Sequence, residues 1–106
     1  MHVEHLAGVP LDGAQGVAMT MLAPGTEPER VRVDVAVLAP ESTLPKHPAG
    51  RDQVFYVLAG SGQVAGGDDV PVDVGPGSLV LWDAGEHHTT WATSELTAII
   101  VQRGRV

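Results

Sequence analysis

Short β-branched strands separated by dense turn signals predict an all-β chain, folded as a sandwich or a barrel. Three observations carry that prediction. Thirteen Gly and eight Pro in 106 residues punctuate the chain too often for a helical bundle. Several runs alternate apolar and polar residues with period two, the signature of strands. No segment offers an amphipathic helix longer than a turn or two.

The clearest run is Val31 to Val37. Val31, Val33, Val35 and Val37 fall on one face and Arg32 and Asp34 on the other, the pattern of a half-buried strand. Further strands are expected over Gly16 to Ala23, Gln53 to Leu58, Gln63 to Ala65, Val70 to Val74, Ser78 to Trp82, His87 to Ala92 and Leu96 to Gln102. Val3 to Leu6 is expected as a short edge strand. Loops are marked by Pro24 to Pro28, Ala39 to Thr43, Pro48 to Asp52, Gly66 to Asp69 and Gly75 to Gly77. The runs at 53–58, 78–82 and 96–101 are apolar on both faces and must be covered on both. One face lines a core; for the other a second subunit is the expected cover, so a homodimer is expected.

Composition narrows the function classes. The length allows one domain, residues 1–106, with a single core. Hydrophobic residues make up 43% and mean hydropathy is +0.09, too apolar for a disordered chain. No apolar run approaches the roughly 20 residues of a membrane-spanning helix. Net charge is −7, and the six Lys and Arg are scattered, which argues against nucleic acid and against an anionic membrane as partners. With no Cys there is no disulfide or thiol chemistry, and a cytoplasmic protein without a secretory signal is expected.

The chemistry points to histidine. His2 and His5 near the start are read as surface residues. His47 precedes a strong strand, and His87 and His88 open another. Adjacent strand residues point to opposite faces, so only one of His87 and His88 can point inward. Asp52 and Glu86 are read as solvated loop carboxylates, and Trp82, Trp91, Phe55 and Tyr56 as packing residues. Gly60, Gly75, Gly77 and Gly85 are read as turn glycines with positive φ. No phosphate-binding loop, dinucleotide fingerprint, serine elbow or HExxH helix is present.

Phe55 to Gly62 followed by Gly75 to His88 resembles the two motifs of the cupin superfamily. The likeness spans roughly Leu44 to Ala92. In the first motif, G(X)5HXH(X)3–4E(X)6G, counting back from Gly60 places Gln53 at the glutamate, and His47 and Ala49 at the HXH pair. A loop insertion would instead put Pro45 and His47 at that pair. The second motif, G(X)5PXG(X)2H(X)3N, starts at Gly77 and gives Asp83, Gly85, His88 and Ala92 at its four further positions. Gln in place of Glu is similar to a group of small single-domain cupins.

The resemblance implies a cupin-type antiparallel β-barrel or jelly roll with His47, Gln53 and His88 turned inward as metal ligands. Neutral imidazole suits Zn, Cu, Ni and Fe, and the implied cofactor is a divalent transition metal, Fe, Ni, Mn, Cu or Zn. Gln53 is uncharged, so it lowers metal affinity and cannot act as a general base. The implied function is a small-molecule cavity, with dioxygenase- or isomerase-type chemistry on a small metabolite. The alternative is a non-catalytic ligand-binding or sensory barrel without metal.

Overall fold

The computed structural model describes residues 1–24 and 31–103. Ten strands form: β1 (Val9–Pro10), β2 (Val17–Pro24), β3 (Arg32–Leu38), β4 (Thr43–Pro48), β5 (Asp52–Ala59), β6 (Gly62–Ala65), β7 (Val72–Val74), β8 (Leu79–Trp82), β9 (His87–Ala92) and β10 (Leu96–Arg103). They make two antiparallel sheets, one of six strands in the order β1-β2-β3-β10-β5-β8 and one of four in the order β4-β9-β6-β7. The two sheets face each other around one hydrophobic core. Among the described residues no helix is long and apolar enough to cross a membrane.

Several boundaries differ from the sequence reading, each for a local reason. Residues 1–8 form no strand, and Val3 and Leu6 are exposed; the edge is supplied by Val9–Pro10 on β2. The run expected from Val70 begins at Val72, after Pro71, which has no N–H for the ladder. No strand is expected from the sequence at β4, whose ends fall in the loops marked at Ala39 to Thr43 and Pro48 to Asp52. The place of β4 at the sheet edge, with a bulge between Leu44 and His47, is where a strand tolerates proline. The Pro24 to Pro28 loop falls, from residue 25, outside the described residues.

The largest correction concerns β3. Its valine face does not enter the barrel: Asp34, Ala36 and Leu38 are buried, while Val33, Val35 and Val37 are half-buried on the outer face. Period two shows that a strand has two faces; only its neighbours decide which is inside. Inward residues then align in rows across the six-stranded sheet. Val17, Leu38 and Leu96 form one row, and Met19, Ala36, Ala98 and Val57 the next. Asp34, Ile100, Phe55 and Val80 follow. Arg32, Gln102, Gln53 and Trp82 form the last row. One end of the barrel is therefore a packed apolar plug, and the other carries polar side chains.

The plug end depends on close backbone approach. Gly60, Gly77 and Gly85 have positive φ, whereas Gly75 does not. At Gly60 (φ 84°) an added Cβ would also collide with the Glu95 carbonyl oxygen. Gly60→Ala is expected to lose at least about 1–2 kcal/mol, lowering the melting temperature by roughly 5–10 °C or more. Gly50→Ala meets open space at ordinary φ and is expected to shift it by less than about 2 °C. Thermal unfolding followed by circular dichroism checks both.

Candidate functional site

The polar row of the six-stranded sheet faces a histidine pair on the four-stranded sheet. His47 of β4 and His88 of β9 are register partners across the ladder, and their ring centroids lie 4.2 Å apart. With Gln53 they border one cavity of about 490 Å³, within the range of small-molecule sites. The residues singled out in the sequence therefore meet, although they come from three strands. His87 points outward and is exposed, while His88 is only 3% exposed. Of the two alternatives for the first motif, Pro45 borders the cavity with His47, whereas Ala49 does not. Ala49 is buried against the next turn, donating its N–H to Glu86 O (2.9 Å) and accepting from Gly85 N–H (2.6 Å).

Backbone carbonyls fix both imidazoles. His88 Nδ1 lies 3.2 Å from Glu86 O and His47 Nδ1 lies 2.7 Å from Pro45 O. A carbonyl oxygen only accepts, so in each ring Nδ1 carries the proton; in the neutral ring Nε2 is then left with its lone pair. Burial pushes the His88 pKa below the ordinary imidazole value, and its neighbours His47 and His87 push the same way. The bond to the Glu86 carbonyl and the Glu86 carboxylate oppose the shift without reversing it. His88 is therefore neutral at pH 7. Its ring stacks on the Trp82 indole (4.2 Å, 23°), which in turn meets Phe55 edge-on (5.5 Å). This ring wall packs, as expected of these aromatics, and also borders the cavity.

The carboxylates beside the motif are half-buried loop groups, and they clamp the backbone. Asp52 Oδ1 accepts the Ala84 N–H (2.8 Å), and Glu86 accepts from Asp83 N–H and Gly67 N–H, both at 3.1 Å. The sequence reading missed the polar residues on the opposite wall. Arg32, Asp34 and Gln102 all border the cavity. Asp34 is 1% exposed; its Oδ2 accepts from Arg32 Nε at 3.0 Å, and its Oδ1 has no hydrogen-bond partner among the described residues. A buried oxygen left this way costs about 1–3 kcal/mol. The one available signal was the charged pair in an otherwise apolar strand, where a buried charge needs a partner.

Two imidazoles presenting Nε2 fit a transition ion. The third candidate, Gln53, adds a neutral amide oxygen, and no group of three or more His, Cys, Asp or Glu that could hold an ion is found among the described residues. The residues fit a weakly held ion, since none of the three candidate ligands carries a charge to balance it.

Several solved structures share this architecture. A cupin superfamily protein from Desulfitobacterium hafniense DCB-2 has a TM-score of 0.75 at 15% identity, covering 96% of this chain and 100% of that one. An RmlC-like cupin with a double-stranded β-helix fold from Methanocaldococcus jannaschii has a TM-score of 0.74 at 16% identity, covering 98% and 93%. The polyketide cyclase RemF from Streptomyces resistomycificus has a TM-score of 0.76 at 23% identity, covering 95% and 77%. No curated protein matches the chain at a significant level. The fold is thus the double-stranded β-helix, found in enzymes such as the cyclase. A family model described as the Cupin domain matches residues 31–102, so this chain belongs to the cupin family.

Proposed function

We propose that this protein binds a small molecule inside the barrel. One observation carries the reading: the cavity of about 490 Å³ combines polar side chains, Gln53 and Gln102, with the flat apolar rings of Trp82 and Phe55. Such a mixture suits a small ligand held by few oriented polar groups. Neutral His88 offers Nε2 as a hydrogen-bond acceptor to a hydroxyl or amide of that ligand. A fragment set titrated into isotope-labelled protein should shift the resonances of Gln53, Trp82, His88 and Gln102 together. Shifts confined to the outer surface would overturn the reading.

A second reading adds a metal, and the two Nδ1-to-carbonyl bonds favour it, because they leave both Nε2 lone pairs for ligation. His47, Gln53 and His88 would hold the ion, which would supply Lewis-acid polarisation of a ligand oxygen. Dioxygenase- or isomerase-type catalysis belongs to this reading, and a sensory or carrier role to the metal-free one. Metal analysis of untagged protein, before and after reconstitution, separates them. A near-stoichiometric ion lost in His88→Ala is the result expected with metal; none after reconstitution leaves the metal-free binder.

Burial of His88 also makes stability pH-dependent. The folded pKa lies below the unfolded value of about 6.5. Between the two, the unfolded chain binds more protons, so stability rises with pH. The contribution is complete above about pH 6.5 and is lost as pH falls through the folded pKa. Urea midpoints should fall below pH 6.5, and His88→Phe should flatten that fall.

The outer face of the six-stranded sheet supports a homodimer. Tyr56 and Leu79 are register partners, as are Val54 and Leu81, and Leu79 and Leu81 are 58% and 64% exposed. A second copy would cover these residues. Light scattering should find a dimer in the native protein and a folded monomer in Leu79→Glu/Leu81→Glu.

A further inference from the structure

We infer that Arg32 is the anchor for the carboxylate of a small, flat acid bound in the barrel cavity, with Asp34 as the residue that positions it. The inference rests on the cavity reading above and names the class of ligand. Arg32 and Asp34 stand two residues apart on β3, so both point inward, where they border the cavity. Their contact is one-sided. Arg32 Nε donates to Asp34 Oδ2 at 3.0 Å, while Asp34 Oδ1 is buried without a partner among the described residues. Arg–carboxylate pairs frequently close as a two-bond fork that satisfies both oxygens. Here the carboxylate grips the guanidinium only at Nε. The bond holds the plane in place, and the two Nη groups have no hydrogen bond among the described residues.

The Arg32 side chain is 36% exposed, enough to meet a ligand at the cavity mouth. The other cation bordering the cavity, Lys46, is committed to Asp69 through Nζ at 2.9 Å. A guanidinium end with two parallel N–H groups matches the two oxygens of a carboxylate. Gln102 is the register partner of both Arg32 and Gln53, so amide groups continue the polar row toward Trp82. A ligand anchored at Arg32 would lay its body toward the buried indole, which favours a flat apolar group. An acid of that shape complements the charge at one end of the row and the ring wall at the other.

The test uses benzoate and its uncharged analogue benzyl alcohol as probes, titrated into isotope-labelled full-length protein and followed by nuclear magnetic resonance. Benzoate is expected to bind at least about tenfold more tightly than benzyl alcohol, shifting the Arg32 Nε resonance as well as the Trp82 indole. Arg32→Met should erase the advantage of benzoate over benzyl alcohol. Arg32→Lys, which keeps the charge without the fork, should retain part of it. Should Arg32→Met fail to fold, the Arg32 Nε shift in the native protein decides by itself. Benzyl alcohol binding in the cavity with no preference for benzoate, or an Nε resonance that does not move, overturns the carboxylate anchor and leaves the cavity reading intact. If neither probe perturbs a cavity residue, both readings fall.

Discussion

The antiparallel register of β3, β10, β5 and β8 decides which side chains the cavity receives. Gln102 pairs with both Arg32 and Gln53, and Gln53 pairs with Trp82, so four strands deliver one row to the same end of the barrel. A slip of one residue on any of these strands would send its member of the row to the outer face. The register is held by what lies beneath. Phe55, Ile100 and Val80 stack under the row, and Leu38, Leu96 and Val57, all fully buried, close the far end. Burying side chains of this size contributes roughly 1.5–3 kcal/mol each, so the apolar plug stabilises the alignment that the polar end requires.

The same geometry fixes the charge state of the site. His88 is buried between His47 and Trp82, and its ring hydrogen bond among the described residues goes to a carbonyl, so the neutral ring with Nε2 unprotonated is the stable form. The acidic side chains nearest the motif are occupied in holding the loop around Asp83 and Glu86. Asp12 and Asp34 both border the cavity, and Asp34, on the far sheet, is already bonded to Arg32. The resulting site has neutral nitrogens on one side and a charged pair on the other. It is better suited to orienting a polar molecule than to holding a bare cation tightly.

Much of this was legible in the residues. Short β-branched or apolar runs bounded by turn signals located eight of the strands, some by alternation and some by apolar residues on both faces. Gly60, Gly77 and Gly85 marked turns because positive φ excludes most other residues. The neighbours His87 and His88 had to diverge, and they do. What failed was any inference that needed to know a neighbour. β4 contains two prolines, acceptable only because it lies at an edge. The valines of β3 are more apolar than Asp34, yet Asp34 is the buried one, because Arg32 partners it and because Ala36 and Leu38 lie on its face.

The amino-acid order by itself determined that the chain is all-β, where most strands and turns begin, and that His47, Gln53 and His88 form a candidate set. The strands and turns follow from short-range sterics and spacing, which a linear sequence contains in full, whereas the candidate set follows from the resemblance to the cupin motifs. Which face of β3 turns inward, and hence that Arg32, Asp34 and Gln102 join the cavity, was decided only by the tertiary structure. Register between strands far apart in the chain is a property of pairing, and a strand's own residues carry no record of its partner.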